Sequence, residues 1–308
     1  MKHIIDMLPE RLSVGLQQLP SRLLGQIEEI RVRLKKPLEV MINGTPHFVP
    51  LKGGQDVSEE DGVQLLSKLS RHSLYALEEE LKRGYITIKG GHRIGLAGKV
   101  ITERGEVKAI RDIGSFNIRV ARQVIGSAEP LRAALCDNNR WLNTLIIGAP
   151  QTGKTTLLRD LARLISVGDE QTRISSRKVG IVDERSEIAG SVRGIPQFEL
   201  GSRVDVLDAC PKAEGMMMLI RSMSPEILIV DEIGRKEDVE AMIEAMHAGV
   251  GLIATAHGYS LQEAMKRPAL EALASLQIFD VFIELTRGET PGIVRRITQA
   301  TGRSRLVT

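Results

Sequence analysis

Cysteine is scarce: among 308 residues only Cys136 and Cys210 occur, with neither metal-ligand spacing nor a disulfide framework. That excludes a zinc ribbon or a disulfide-stapled secreted fold and agrees with a reducing, cytoplasmic setting. Aromatic residues make up 3% of the chain, too few for a stacking platform for single-stranded nucleic acid. Charge of one sign is also lacking, since 42 Lys and Arg face 39 Asp and Glu for a net +3, with no dense basic tract. The surplus lies in the first half: up to Arg122 there are 20 basic and 15 acidic residues, and beyond it 22 and 24. Apolar runs such as Leu145 to Gly148 and Ile227 to Val230 fall far short of the ~20 residues that span a bilayer. The opening MKHIIDMLPERL carries acids and a proline where a signal peptide needs an apolar core, so no export is expected. What is present is ordinary for a globular chain, 42% hydrophobic and 26% charged, and the length predicts two domains.

Residues 1 to 125 read as a small α+β domain. An opening helix is followed by EIRVRLKKPLEVMI, in which Ile30, Val32 and Leu34 alternate with charged residues and Lys-Lys-Pro turns one strand into the next. Ser58-Glu-Glu-Asp61 resembles a helix cap with Val63, Leu65, Leu66 and Leu69 behind it, and a second short helix is predicted through Leu77 and Leu81. From Tyr85 to Val124, segments such as YITI, HRIGLAGKVIT, VKAI and FNIRVA are separated by Gly-Gly, Glu-Arg-Gly-Glu and Asp-Ile-Gly turns, the pattern of a meander.

From residue 126 to 308 the pattern changes. Continuous apolar strands (TLIIG, KVGIVDE, EILIVDE, GLIATAHG) alternate with amphipathic stretches (KTTLLRDLARLI, AEGMMMLIRSM, VEAMIEAMHA), which predicts a mostly parallel sheet with helices on both faces. FDVFIEL and GIVRRITQ read as a closing antiparallel hairpin. Gly190 to Gly201, broken at Gly194 and Pro196, reads either as a mobile loop or as a plain connector, and Met216 to Met218 as core at helical spacing.

The decisive motif follows the strand TLII: Gly148-Ala149-Pro150-Gln151-Thr152-Gly153-Lys154-Thr155, with Thr156 opening the next helix. Glycines let backbone N–H groups wrap phosphates, the helix N-terminus adds a favourable dipole, Lys154 is placed for the β- and γ-phosphates of ATP and Thr155 for Mg²⁺. Ile227 to Val230 then ends in Asp231, a Mg²⁺ partner, and Glu232, placed to polarise the attacking water. A third strand ends in Asp183-Glu184-Arg185, so Glu184 competes with Glu232 for the role of base. Thr255 and His257, at the tip of GLIATAHG, are placed to touch the γ-phosphate or the water, whereas His3, His47, His72, His92 and His247 read as structural.

In order, these segments resemble the Walker A, Asp, Walker B and His boxes of the type II and type IV secretion ATPases, over residues 144 to 258. EEIRVRLKKPLEV, KGGHRIGLAGKV, SFNIRVAR, VDERSEIAG, DVLDACPKAEGMMMLIRSMSPEILIVDEIG and ATAHG look like the stage III sporulation AA family of endospore-forming bacteria, a resemblance that runs through both domains. The resemblance implies a RecA-like P-loop ATPase core behind an N-terminal domain. It also implies a homo-oligomer, a hexameric ring, at the cytoplasmic, mother-cell face of a membrane channel, held there through channel proteins of the same sporulation operon. One departure stands out: the secretion ATPases usually carry Gly-Glu where this chain has Asp231-Glu232. Ring ATPases insert an arginine from a neighbouring subunit. Arg111, Arg119, Arg122, Arg193, Arg203 and Arg221 are candidates, with Arg203 and Arg119 favoured. The competing function is a nucleic-acid-dependent RecA-like ATPase, against which the scarcity of aromatics and basic tracts weighs.

Overall fold

The computed structural model describes residues 1–70, 84–288, 292–300 and, as backbone, 304–306. The helix expected through Leu77 and Leu81 lies outside the described residues. The chain divides into two compact units, Met1–Arg122 and Gln123–Thr308.

The first unit is a six-stranded antiparallel sheet in the order β3-β2-β1-β6-β5-β4, where β1 is Ile27–Arg33, β2 Leu38–Ile42, β3 Thr45–Val49, β4 Tyr85–Ile88, β5 His92–Glu103 and β6 Glu106–Arg119. Alternation puts Ile30, Val32, Val40, Ile94, Phe116 and Ile118 on one face, where they join Ile4, Leu8, Leu12 and Leu65 of the helices in a single core. The helix Glu59–Ser70 starts as its sequence predicts: Ser58 Oγ accepts the Asp61 N–H at 3.1 Å, and the Asp61 carboxylate accepts the Ser58 N–H at 2.8 Å. The meander differs from expectation. VKAI and FNIR belong to one strand, and Asp-Ile-Gly is a bulge at which the β5–β6 register breaks between Ala97 and Lys99. Gly98 permits it: a Cβ there would lie 2.6 to 2.8 Å from backbone atoms of Arg111, Asp112 and Ile113.

The second unit opens with a one-turn 3₁₀ helix and a one-turn α-helix, Glu129–Leu135, and a short hairpin, β7 (Cys136–Asp137) with β8 (Arg140–Trp141). An eight-stranded sheet follows. Its members are β9 (Thr144–Gly148), β10 (Val179–Asp183), β11 (Val204–Asp208), β12 (Ile227–Val230), β13 (Gly251–His257), β14 (Val281–Thr286), β15 (Ile293–Gln299) and β16 (Ser304–Leu306), in the order β11-β10-β12-β13-β9-β14-β15-β16. The first six are parallel and the last two close the edge antiparallel. β9, β10 and β12 are buried at every position because both faces are covered. Ile146, Ile181, Ile229 and Ile253 face the helix Lys154–Val167. Leu145, Val182, Leu228 and Leu252 face the helices Lys212–Ser222, Lys236–His247 and Pro268–Ser275.

One reading changes here. Val204–Asp208, not expected as a strand, is the edge strand β11, paired with β10 throughout. The segment Gly190–Gly201 is tied down at both ends: Leu200 is buried, the Gln197 N–H donates to Ala189 C=O at 3.0 Å and Ser166 Oγ to Leu200 C=O at 2.9 Å, while Arg193 to Ile195 at its centre stand exposed. Of the three methionines, Met216 is fully buried while Met218 is 47% exposed, so only one face of that helix turn meets the core.

Candidate functional site

In a parallel sheet, ligands bind beyond the carboxyl ends of the strands. Gly148, Asp183, the residue after Val230 and His257 all stand at that end, the tips of β9, β10, β12 and β13.

The phosphate loop Gly148 to Thr155 joins β9 to the helix Lys154–Val167. Gly148 is required by space, since a Cβ would sit 2.4 Å from Thr152 Oγ1, and Gly153 by its φ of +91°. Gln151 also takes a positive φ of 66°, and Thr152 Oγ1 donates to Ala149 C=O at 2.8 Å, so the loop's curl is held by its own side chain. Lys154 is 7% exposed, and its Nζ donates to the carbonyls of Gly148 and Ala149 at 2.8 and 3.1 Å. Burial pushes its pKa down, opposed by the charges of Asp231 and Glu232. Pro150 belongs to the loop and Thr156 to the first turn of the helix.

Thr155 Oγ1 donates to Asp231 Oδ2 at 2.9 Å, and Asp231 Oδ1 accepts from the Thr255 hydroxyl. That hydroxyl in turn accepts the Glu232 N–H at 2.8 Å, so one threonine of β13 holds both acids that follow β12. Glu232 adopts a φ of 56°, a strained conformation for a side-chain-bearing residue. Its carboxylate contacts His257 Nε2 and Arg185. Lys154 Nζ stands 3.2 Å from His257 Nδ1. An ammonium can only donate, so Nδ1 accepts and Nε2 carries the proton toward Glu232. The phosphate-loop lysine and the acid of the neighbouring strand are thus joined through one imidazole.

Asp183 is 2% exposed and accepts the backbone N–H groups of Glu187 and Ala189, each at 2.8 Å. Burial raises its pKa to about 6 despite these donors. Glu184 turns to the cleft, paired with Lys212 and sharing the lining with Arg185, Asp231 and Glu232. Arg159, one helical turn beyond Thr155, is 6% exposed. It donates to the carbonyls of Ile188 and Glu187 at 2.7 and 2.8 Å and stacks 3.7 Å over Phe198, and burial lowers its pKa to about 10. It clamps the loop after β10 to the phosphate-loop helix.

Of the favoured arginines, Arg203 lies away from this end of the sheet. Arg203 precedes β11, at the amino end of the sheet, where it donates to Ser176 at 2.7 and 2.8 Å and stands 3.8 Å from Glu226. Arg119 ends β6 in the first unit, 62% exposed in its side chain and 3.9 Å from Glu29. Residues that reading by motif passed over are Arg159, Arg185 and Lys212. A polar residue on the buried face of the phosphate-loop helix was the available signal for Arg159. Lys212 carried none, because its place depends on how the chain turns back after β11.

Among the described residues no group of three or more His, Cys, Asp or Glu is placed to hold a metal. A hydroxyl and a carboxylate at 2.9 Å, Thr155 and Asp231, instead form the sparse, hard-oxygen pair that suits Mg²⁺, which keeps most of its shell for phosphate oxygens and water. No described helix is long and apolar enough to cross a membrane.

Among solved structures, the fold is similar to the ATPase DotB of Legionella pneumophila (TM-score 0.60, 15% identity, 89% of this chain and 77% of that one). It is also similar to the pilus retraction motor PilT with bound ADP (TM-score 0.54, 18% identity, 85% and 75%). At such identities the likeness is one of fold, a RecA-like α/β core. Among curated proteins, the stage III sporulation protein AA of Bacillus subtilis (strain 168) is 56% identical over 302 residues, covering 98% of this chain and 96% of its own. The family model described as "Sporulation stage III, protein AA" matches residues 2–305, and the chain belongs to that family.

Proposed function

We propose that the protein is a Mg²⁺-dependent ATP hydrolase that works as an oligomeric ring, serving a secretion-like channel between mother cell and forespore. The observation that carries the reading is the meeting of Lys154, Thr155, Asp231, Glu232 and His257 at one sheet end. The loop's N–H groups and Lys154 would bind the β- and γ-phosphates, and Thr155 and Asp231 would hold Mg²⁺. The ion, when bound, neutralises charge that develops on the phosphate oxygens. A water held by Glu232, with Glu184 facing the same cleft, attacks the γ-phosphorus; the bond to the β–γ bridging oxygen breaks, ADP leaves, and the water's proton passes to a carboxylate. His257 senses the γ-phosphate through Lys154 and moves with Glu232.

The ring, its hexameric count, the channel proteins of the same operon as partners and a mother-cell cytoplasmic location are proposed from family membership and from the secretion-ATPase fold. Arg203 and Arg119 are proposed to act on a neighbouring copy's nucleotide.

The test is ATP turnover against protein concentration, with and without Mg²⁺, beside Lys154→Ala. Turnover per subunit that rises with concentration, requires Mg²⁺ and vanishes in the variant supports a ring-completed ATPase. Well-folded protein that neither binds nor hydrolyses ATP sinks the proposal. A large, salt-sensitive stimulation by single-stranded DNA or RNA would favour the nucleic-acid-dependent reading instead.

A further inference from the structure

A buried lysine at the start of a helix is an electrostatic anomaly. Lys212 is 7% exposed and is the first residue of the helix Lys212–Ser222, the end at which the backbone dipole repels a cation. Burying an ammonium costs further solvation, and buried ion pairs seldom repay it as stability. The fold nevertheless works to place it there. After β11 the chain reverses at Ala209, in a left-handed conformation with φ 57°, while the Ala209 N–H bonds to Asp183 C=O at 2.8 Å. Gly215 then lets the helix lie directly on β10: a Cβ there would come within 2.5 Å of Val182 Cγ1 and 3.2 Å of Cys210 Sγ. This close seat brings Lys212 over the tip of β10 and into an ion pair with Glu184, in the small cleft that Asp231 and Glu232 also line.

We infer that Lys212 is a positioning residue for ATP hydrolysis: it fixes the Glu184 carboxylate toward the γ-phosphate side of the cleft and offsets one of the negative charges gathered there. The inference rests on the ATPase reading. The cleft collects three carboxylates, Glu184, Asp231 and Glu232, around the place where a tetra-anionic substrate reacts. Glu232 is held by groups that are partly exposed, Arg185 at 60% and His257 at 35%, whereas Glu184 is held by a lysine that solvent scarcely reaches. Glu184 thus depends on this one buried cation, while Glu232 is shared between His257 and Arg185.

The experiment compares kcat and KM for ATP in the full-length protein for Lys212→Met, Lys212→Arg, Glu184→Gln and the Glu184→Gln/Lys212→Met double variant. Lys212→Met is expected to lower kcat by about 30-fold or more with KM within about threefold, because the lost interaction acts on the reacting step. Lys212→Arg should recover most of kcat, and the double variant should be no slower than Glu184→Gln, since the lysine acts through that carboxylate. Should Lys212→Met fail to fold, the double variant, which removes both charges, and Lys212→Arg carry the comparison. Undiminished kcat in Lys212→Met, an equal loss in KM, or multiplicative losses in the double variant would overturn the inference while leaving the ATPase reading intact. An inactive wild type would overturn the ATPase reading, and this inference with it.

Discussion

Replacing Asp183 by Asn should make the protein more stable at neutral pH and a poorer ATPase. The carboxylate is 2% exposed, and burial lifts its pKa from 3.8 to about 6. Between those values the folded protein holds a proton that the unfolded chain has released, so stability falls as pH rises through that window. A shift of about two pH units corresponds to roughly 3 kcal/mol. Asparagine is neutral throughout but can accept only one of the N–H groups of Glu187 and Ala189, because its NH2 faces the other donor to donor, a loss of about 1 kcal/mol at every pH. The variant should therefore lie about 1 kcal/mol below the wild type near pH 4 and gain about 3 kcal/mol on it between pH 4 and pH 8, ending the more stable of the two. Urea unfolding followed by the fluorescence of Trp141, the sole tryptophan and a buried residue of the second unit, reads this directly. Turnover should fall, because one of the two carboxylate bonds that shape the loop carrying Glu184 is lost. A variant less stable than wild type at pH 8, or an offset that is the same at both pH values, would refute the reasoning.

Gly148→Ala should weaken binding of a fluorescent ATP analogue by about tenfold or more, since its methyl would lie 2.4 Å from Thr152 Oγ1 and 3.2 Å from Leu285 Cβ and the curl must open; unchanged affinity would contradict the tight loop. In the first unit, His92 Nδ1 accepts the Ala121 N–H at 3.0 Å, and burial, then the N-terminal amine and His3, depress its pKa from 6.5 to about 4. The folded unit thus refuses a proton that the unfolded chain takes up, so this unit loses stability as pH falls from 6.5 toward 4. A proton NMR titration should show His92 changing near 4, and a midpoint near 6.5 in folded protein would count against its burial.

The sequence by itself determined the local pieces. The strand–loop–helix at Gly148 to Thr155, the parallel character of strands buried on both faces, the cap at Ser58 and the acidic strand ends were all legible, because loop curvature, helix starts and two-faced burial depend on residues close in the chain. What only the tertiary structure decided depends on contacts across it. VKAI and FNIR fused into one strand because Gly98, on the partner strand, leaves room for a bulge. Val204–Asp208 became an edge strand through pairing with β10, although its own pattern of Val, Asp and Leu is weak. The triad of Lys154, His257 and Glu232 joins residues that are far apart in sequence, and Lys212 reaches Glu184 only because Gly215 lets one helix rest on β10. Periodicity reports which face of an element is buried, but which side chains meet at the end of a sheet follows from strand order and register, and those are set by the packing of the whole unit.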